Sequence, residues 1–447
     1  MKCLILAAGK GTRLSNKGLP KPLVSVLGLP IIERVILTAK ASGITEFLVV
    51  TGYEGDRVRK FLLELKEREK FSLTLIENPQ WEKENGVSVL CSEAHLTEPF
   101  ILTMCDHLLP ENAFKNLLGT EVKDGEITVS VDYGLDKFSR EELEEATKVQ
   151  VKDGLVVKIG KDLRQYDGVD TGLFLCSPAI FQALKISEQK GDTTLSGGIR
   201  VMAAEGRVKA IGAPPEKWFD IDDAYSLKKA EKALLFSLKK PTDGPVSRYI
   251  NRPISLRITR SLVNTRMTAN QISWLSFAVA LAAACSYAVK GYGALIVGGI
   301  LTQLSSILDG CDGEVARLKY QVSEFGGWFD AVLDRYADAL LLFGLTLHLL
   351  WCGGGIGSMA AGFFSVTGSL INSYTAHKYD AYLKLEHMGK AVTFRLGRDV
   401  RLFLIFLGAV FNQALGTLVL LAVIMNLENV RRVWVLYGVW SKDHPRR

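Results

Sequence analysis

Apolar and polar positions follow two regimes that meet near Lys240. Before it, short β-rich runs (KCLILAAG, EFLVVTG, SLTLIEN, PFILTMCD, ITVSVDYG) read as strands. Between them, PIIERVILTAKASG and GDRVRKFLLELKERE carry apolar residues at helical spacing and read as amphipathic helices. Strand–helix alternation predicts an α/β domain with a mostly parallel sheet, its ligands at the carboxyl ends of the strands. A helix over residues 223–239 leaves this domain, and KPTDGPV, with its prolines and glycine, reads as a linker. The expected division is a first domain over residues 1–232, a linker over 233–247 and a second domain over 248–447.

After the linker, SRYINRPISLRITRSLVNTRMT is basic and amphipathic, as suits a helix lying at a membrane surface. Six apolar stretches follow, near 269–289, 292–311, 327–351, 355–377, 399–411 and 414–435. The fifth is short for the roughly 20 residues a span needs, so it is expected to begin within the basic loop before it. An even count places both termini on one side. Arg317 and Lys319, then Lys378, Lys384, Lys390, Arg395, Arg398 and Arg401, fall in connections on that side, whereas the opposite connections carry only Lys290. That asymmetry obeys the positive-inside rule and predicts cytoplasmic termini in a multi-pass protein of the cell membrane.

The net charge of +6 suits basic loops, and the sequence has no dense Lys/Arg run with interleaved aromatics, which argues against nucleic acid as a partner. Seven scattered cysteines without a C-x-x-C pair argue against a disulfide framework and a zinc site. CLILAAG is too short for a signal-peptide core and runs directly into KGTRL, so the first domain is expected to stay in the cytoplasm.

Against this background, Asp309, Asp312, Asp330, Asp334 and Asp338 stand out among spans. An uncompensated Asp at mid-bilayer costs about 2.5–3.5 kcal/mol on insertion scales. Residues 330, 334 and 338 are four apart and line one helix face; 309 and 312 are three apart and share another. Facing each other, they would form an oxygen cage for hard divalent cations such as Mg²⁺. Gly310, Gly313, Ala316, Gly326 and Gly327 keep the surroundings small, although glycines in spans also serve close packing. Two other readings are open: aspartates ion-paired with Arg317 and Arg335, or a cation transport path in a transporter with a regulatory nucleotide-binding domain.

Asp309-x-x-Asp312-Gly313-x-x-Ala316-Arg317, eight residues, then Gly326-x-x-x-Asp330-x-x-x-Asp334 resembles the signature of the CDP-alcohol phosphotransferases. The resemblance runs from about Ser247 to the end. It implies an all-α transmembrane domain of six helices, commonly a homodimer, that moves a CMP-linked phosphoalcohol onto an acceptor hydroxyl. It also implies that Asp309, Asp312, Asp330 and Asp334 hold two divalent ions, Mg²⁺ or Mn²⁺. Asp334 would double as general base, and Gly313, Ala316 and Arg317 would line the nucleotide site. Asp338 lies outside the signature and would only extend the polar face. In FRLGRDVRLFL, Arg398 and Arg401 share a helix face and are candidate ligands for an acceptor phosphate, with Asp399 as orienting partner; the alternative is that they anchor the span at anionic headgroups.

In the first domain, a small-residue loop follows the first strand and offers N–H groups to phosphates. Leu6-Ala7-Ala8-Gly9-x-Gly11-Thr12-Arg13-Leu14 followed by Pro20-Lys21-Pro22-Leu23 is more specific and resembles the sugar-phosphate nucleotidyltransferases, an α/β, Rossmann-like fold. Asn85-Gly86-Val87-Ser88 at an expected base-contacting loop, MCDH with Asp106, VDTGLFL, and WFDIDD with Asp220 and Asp222 follow in order. The resemblance implies Mg²⁺ at Asp106 and Asp220, nucleotide contacts from Ala7, Ala8, Gly9, Gly11, Thr12, Asn85 and Ser88, and catalytic cations in Arg13 and Lys21. It also places an acceptor-phosphate lysine near Lys161, with Asp222 as an extra candidate. His107 reads as a local hydrogen-bonding residue, and a degenerate copy kept as scaffold is the bland alternative. The whole chain resembles the fused inositol-1-phosphate cytidylyltransferase and di-inositol-phosphate phosphate synthases of archaea. That resemblance implies CTP and inositol 1-phosphate as substrates and CDP-inositol as intermediate, with a phospholipid synthase as the rival outcome.

Overall fold

The computed structural model describes residues 1–14, 18–240, 243–385 and 397–443, so Lys390 and Arg395 lie outside the described residues. They form two compact units, Met1–Ala233 and Leu234–Arg447.

In the first unit, β1 (Lys2–Ala7), β2 (Glu46–Thr51), β3 (Ser72–Glu77), β4 (Phe100–Met104), β5 (Ile127–Asp132), β6 (Lys148–Lys152), β7 (Leu155–Gly160), β8 (Gly168–Cys176) and β9 (Val208–Gly212) form one sheet. Its order is β3-β2-β1-β4-β8-β5-β9-β7-β6. From β3 to β4 the neighbours are parallel, because helices such as Ile31–Ala41 and Gly55–Glu69 carry the chain back between them. Beyond β4 the expectation of a mostly parallel sheet fails. β8 runs antiparallel to both β4 and β5, and β6–β7 is an antiparallel hairpin; only β5–β9 is again parallel. For the β6–β7 hairpin the physical reason is connection length. Asp153-Gly154 joins β6 to β7 too tightly for a parallel crossover, and both residues take positive φ.

The central pair β1–β4 fixes the site. Leu6 faces Met104 across the ladder, so the loops after both strands emerge side by side from the same sheet edge. The inward faces of these strands carry the core, with Leu4, Leu6, Phe100 and Leu102 fully or nearly buried.

In the second unit, α1 (Arg252–Leu262) precedes α2 (Ala269–Tyr287), α3 (Tyr292–Leu318), α4 (Glu324–Trp351), α5 (Ile356–Leu385), α6 (Arg398–Val410) and α7 (Ala414–Asp443). Among the described residues, three helices are long and apolar enough to cross a membrane: Ala269–Tyr287, Tyr292–Leu318 and, within α7, Ala414–Gly438. Thr268 starts α2 with a capping box closed by Gln271.

Small residues let these helices approach closely. A Cβ on Gly344 of α4 would lie 2.7 Å from the Ala284 carbonyl of α2, and one on Gly299 of α3 would lie 2.8 Å from the Ala409 Cβ of α6. Gly310 and Gly313 meet nothing closer than 3.6 and 3.5 Å, and Gly327 meets nothing within 4 Å. Two groups of glycines therefore exist, one for packing and one leaving open space. We expect Gly344→Val to lower the melting temperature of the detergent-solubilised protein, at about 1–3 kcal/mol for overpacking. Gly327→Ala should leave it unchanged.

Candidate functional site

Among the described residues, each unit presents one cluster of acidic side chains close enough together to share a metal ion. In the first, the loop after β1 turns at Gly11, whose positive φ and close contact with the Lys21 side chain exclude any larger residue. Lys21 is buried and its Nζ lies 2.6 Å from both Asp106 Oδ2 and Asp222 Oδ1. Asp106 follows β4. Asp220 is brought opposite His107 by a short antiparallel ladder between His107–Leu108 and Phe219–Asp220. Arg13 closes the rim, 3.5 Å from Asp222 Oδ2 and 3.1 Å from Glu145 Oε1.

The electrostatics follow from these distances. Burial opposes charge on Lys21, but Asp106 and Asp222 more than offset it and raise its pKa well above the usual value. Burial likewise opposes ionisation of Asp106, yet Lys21 and His107 hold its carboxyl below the usual range. Burial alone would lower His107, but Asp220 and Asp106 carry it up to about 10. His107 Nδ1–H donates to the Thr171 carbonyl at 2.8 Å, which leaves Nε2 facing Asp220 at 3.6 Å and Asp106 at 3.8 Å. It is thus a local hydrogen-bonding residue, as read from the sequence, and also the third member of a possible ligand set with Asp106 and Asp220.

Other expected residues are placed differently. Ala7 and Ala8 are buried at the end of β1, and the Ala8 carbonyl accepts from Tyr53 N–H. A Cβ on Gly9 would meet nothing within 4 Å, so there is room for a ligand against that backbone. Thr12 lies in the turn between Gly11 and Arg13. Asn85–Ser88 is the start of the helix Asn85–Leu90 rather than a loop. Asn85 Oδ1 accepts from Leu195 N–H at 2.8 Å, and the buried Ser88 hydroxyl accepts from Asn78 at 2.9 Å, so both polar oxygens are engaged within the protein. Lys161 stays exposed just past β7, and its carbonyl is held by Lys148 Nζ at 2.6 Å.

In the second unit, α3 supplies Asp309 and Asp312, and α4 supplies Asp330; their carboxylate oxygens lie within 4.8 Å of one another. Asp312 accepts from Ser273 Oγ of α2 at 2.5 Å and from its neighbour Gly313 N–H. Asp334, one turn after Asp330 on α4, is outside that trio of mutually close oxygens but lies beside Asp309. Arg398 Nη1, at the start of α6, lies 2.8 Å from both Asp334 Oδ1 and Asp309 Oδ1. Arg398 Nε then meets Asp338 Oδ1 at 3.0 Å, and Arg401 Nη2 meets Asp338 Oδ2 at 3.1 Å.

Asp338 therefore does more than extend a polar face, because it holds two arginines at once. Asp399 is not the partner that orients Arg398; its carboxylate accepts from Ser247 N–H at 2.8 Å. A cavity of about 230 Å³ opens on the trio and is lined also by Arg398, Gly313, Arg317, Arg252 and Lys240. Ala316 and Arg401 are not among its lining residues. Arg401 sits behind, donating to Ser369 Oγ of α5 at 2.6 Å.

The chemistry of the donor sets fits hard divalent cations, since both offer clustered carboxylate oxygens. Comparison with known proteins now adds the family. A MobA-like NTP transferase domain matches residues 3–149, and a CDP-alcohol phosphatidyltransferase domain matches residues 266–429. A bifunctional IPC transferase and DIPP synthase of Rubrobacter xylanophilus is 38% identical over 97% of this chain and 95% of its own. The protein of the same description from Archaeoglobus fulgidus is 36% identical over 91% of this chain and 78% of its own. That from Aquifex aeolicus is 34% identical over 98% of each. The chain belongs to the bifunctional IPC transferase and DIPP synthase family.

One part of this IPC transferase and DIPP synthase chain escaped the sequence reading. Glu314 of α3 is fully buried and accepts from Arg252 Nη1 at 2.5 Å, Ser255 Oγ at 2.6 Å and Thr259 Oγ1 at 2.6 Å. These three donors lie on the buried face of α1, whose amphipathic pattern had suggested only a surface helix. The signal was present as polar residues at positions 252, 255 and 259, a helical stripe without apolar content.

The double clamp on Asp338 generates a prediction for this family member. Asp338→Asn leaves Arg401 buried and short of an anion, and breaking one side of a buried pair costs about 3–5 kcal/mol. The melting temperature should fall sharply, and adding Arg401→Met should restore more than half of the loss. An unchanged melting temperature in the single variant contradicts the clamp.

Proposed function

We propose that the chain makes CDP-inositol from CTP and inositol 1-phosphate in its first domain (1–232) and consumes it in its second (248–447). In the first reaction a phosphate oxygen of inositol 1-phosphate attacks the α-phosphorus of CTP, and pyrophosphate leaves. In the second, a hydroxyl of another inositol 1-phosphate attacks the phosphorus bearing inositol, CMP leaves, and a phosphorylated di-inositol phosphate forms. The reading is carried by the near full-length likeness to bifunctional IPC transferase and DIPP synthases. Both steps transfer a phosphorus centre between oxygens, which depends mainly on positioning and charge neutralisation.

Asp106 and Asp220 in the first site, and Asp309, Asp312, Asp330 and Asp334 in the second, would hold Mg²⁺ or Mn²⁺, which stabilises the charge of the attacking and leaving oxygens when bound. Lys21 and Arg13 neutralise the triphosphate against the loop Ala7–Thr12, and Lys161 takes the acceptor phosphate. Asp334 removes the proton from the acceptor hydroxyl, and Gly313, Ala316 and Arg317 face the nucleotide. Arg398 takes the acceptor phosphate, held from behind by Asp338, with Arg401 on the other side of that carboxylate. Six membrane spans, cytoplasmic termini and a homodimer through the membrane domain complete the proposal.

The two activities should separate. Asp106→Asn is expected to abolish CDP-inositol synthesis while CMP release from supplied CDP-inositol persists, and Asp334→Asn should do the reverse. Loss of both activities in either well-folded variant contradicts the assignment. Arg398→Ala should raise the KM for inositol 1-phosphate in the transfer step roughly tenfold or more, as for a lost charge-assisted contact. If the product partitions into organic solvent, the phospholipid reading replaces this one.

A further inference from the structure

Lys240, Asp243 and Gly244, from the segment read as a linker, lie at the wall of the second site. Asp243 takes Arg252 Nε at 2.9 Å and Nη2 at 3.0 Å in a two-pronged pair. Its own N–H donates to the Lys240 carbonyl at 3.1 Å, and its carboxylate accepts from Lys240 N–H at 3.1 Å. Arg252 is in turn fixed by buried Glu314, so the Lys240 backbone is tied by hydrogen bonds to Asp243 and, through the ion pairs of Arg252, to α1 and α3. Gly244 lies against the Asp399 carboxylate, where a Cβ would come within 2.5 Å. The side chain of Lys240 lines the acidic cavity.

The charges around that cavity do not close. Arg252 is matched by Asp243 and Glu314, and Arg398 by Asp309, Asp334 and Asp338. Two lining cations remain without an ion pair among the described residues, Lys240 and Arg317. Arg317 also has a buried Nε with no hydrogen-bond partner. The two cations feel one another. Burial, then Arg317 and Arg252, hold the Lys240 ammonium below its usual pKa. Neighbouring, partly desolvated cations with spare donors and no ion pair at bonding distance among the described residues form a site for an anion.

We infer that Lys240 and Arg317 together bind the phosphate that leaves with cytidine. This deepens the transferase reading above and rests on it. The assignment to that phosphate, rather than to the acceptor's, follows from position. Arg317 Nη1 lies 3.5 Å from where a Cβ on Gly313, the neighbour of Asp312, would stand, and Lys240 lines the same cavity, whereas Arg398 is bonded to Asp309 and Asp334. In the transfer the P–O bond to CMP breaks and its electron pair stays on the CMP oxygen, so negative charge grows on that phosphate. An ammonium there favours departure as well as binding. The stretch joining the two domains is by this account a part of the transferase site, and Lys240 is a ligand carried on it.

The test uses the full-length protein with supplied CDP-inositol, and CMP as a product inhibitor. Lys240→Met should raise the inhibition constant of CMP roughly tenfold and lower kcat/KM for CDP-inositol by a similar factor. Lys240→Arg should retain most of both, while the KM for inositol 1-phosphate and the rate of CDP-inositol synthesis stay unchanged. Unchanged CMP inhibition in Lys240→Met overturns the assignment, as does a shift confined to Mg²⁺ activation. Absence of CMP release by the wild type would instead overturn the functional reading itself.

Discussion

Carboxylates enclosed by apolar helices need opposite charge within hydrogen-bond reach, and in the second unit one guanidinium meets most of that need. Arg398 contacts Asp309 of α3 and both Asp334 and Asp338 of α4, so three helices converge on its head group. Its own position is set by Asp338, which Arg401 and Ser369 also hold. The cavity and the placement of α6 follow from this arrangement. A neutral residue at 398 would leave like charges facing one another in a low-dielectric setting.

The first unit meets the same problem with a different fold. There Lys21 lies between Asp106 and Asp222 as Arg398 lies between Asp309 and Asp334. In both places a cation occupies the gap between carboxylates that phosphate chemistry requires. The parallel strands β1 and β4 deliver the groups in one unit, and helix spacing of three and four residues delivers them in the other. Polyphosphate transfer explains the convergence, since the substrate brings negative charge to a site that must also hold divalent cations.

Periodicity made much of this legible in the sequence. Helices stand where the six apolar runs were read, although Arg398–Val410 has only 13 residues and three of the described helices are long and apolar enough to cross a membrane. The first five strands of the large sheet fall where β-rich runs were read. Aspartate spacing gave the shared faces, because helical geometry is local. Strand direction was not legible, since β8 pairs with β4 and β5 across long sequence separations. The role of Asp338 was missed for a similar reason: its two arginine partners lie sixty or more residues away on α6. Asn85–Ser88 was misjudged because NGVS has turn-forming composition, yet packing on the residues around Leu195 makes it helical. Prolines and a glycine marked residues 240–246 as a linker, and composition cannot reveal that Asp243 is pinned by Arg252.

The central claim is that one chain carries out two consecutive phosphorus transfers through a shared intermediate. Phosphorus-31 NMR of the wild-type protein incubated with Mg²⁺, CTP and inositol 1-phosphate alone tests it most directly. The account predicts pyrophosphate and a CDP-linked diphosphate signal first, followed by CMP and a water-soluble phosphodiester in equal amounts. Accumulation of the diphosphate without CMP or phosphodiester, in protein that binds Mg²⁺, would contradict it.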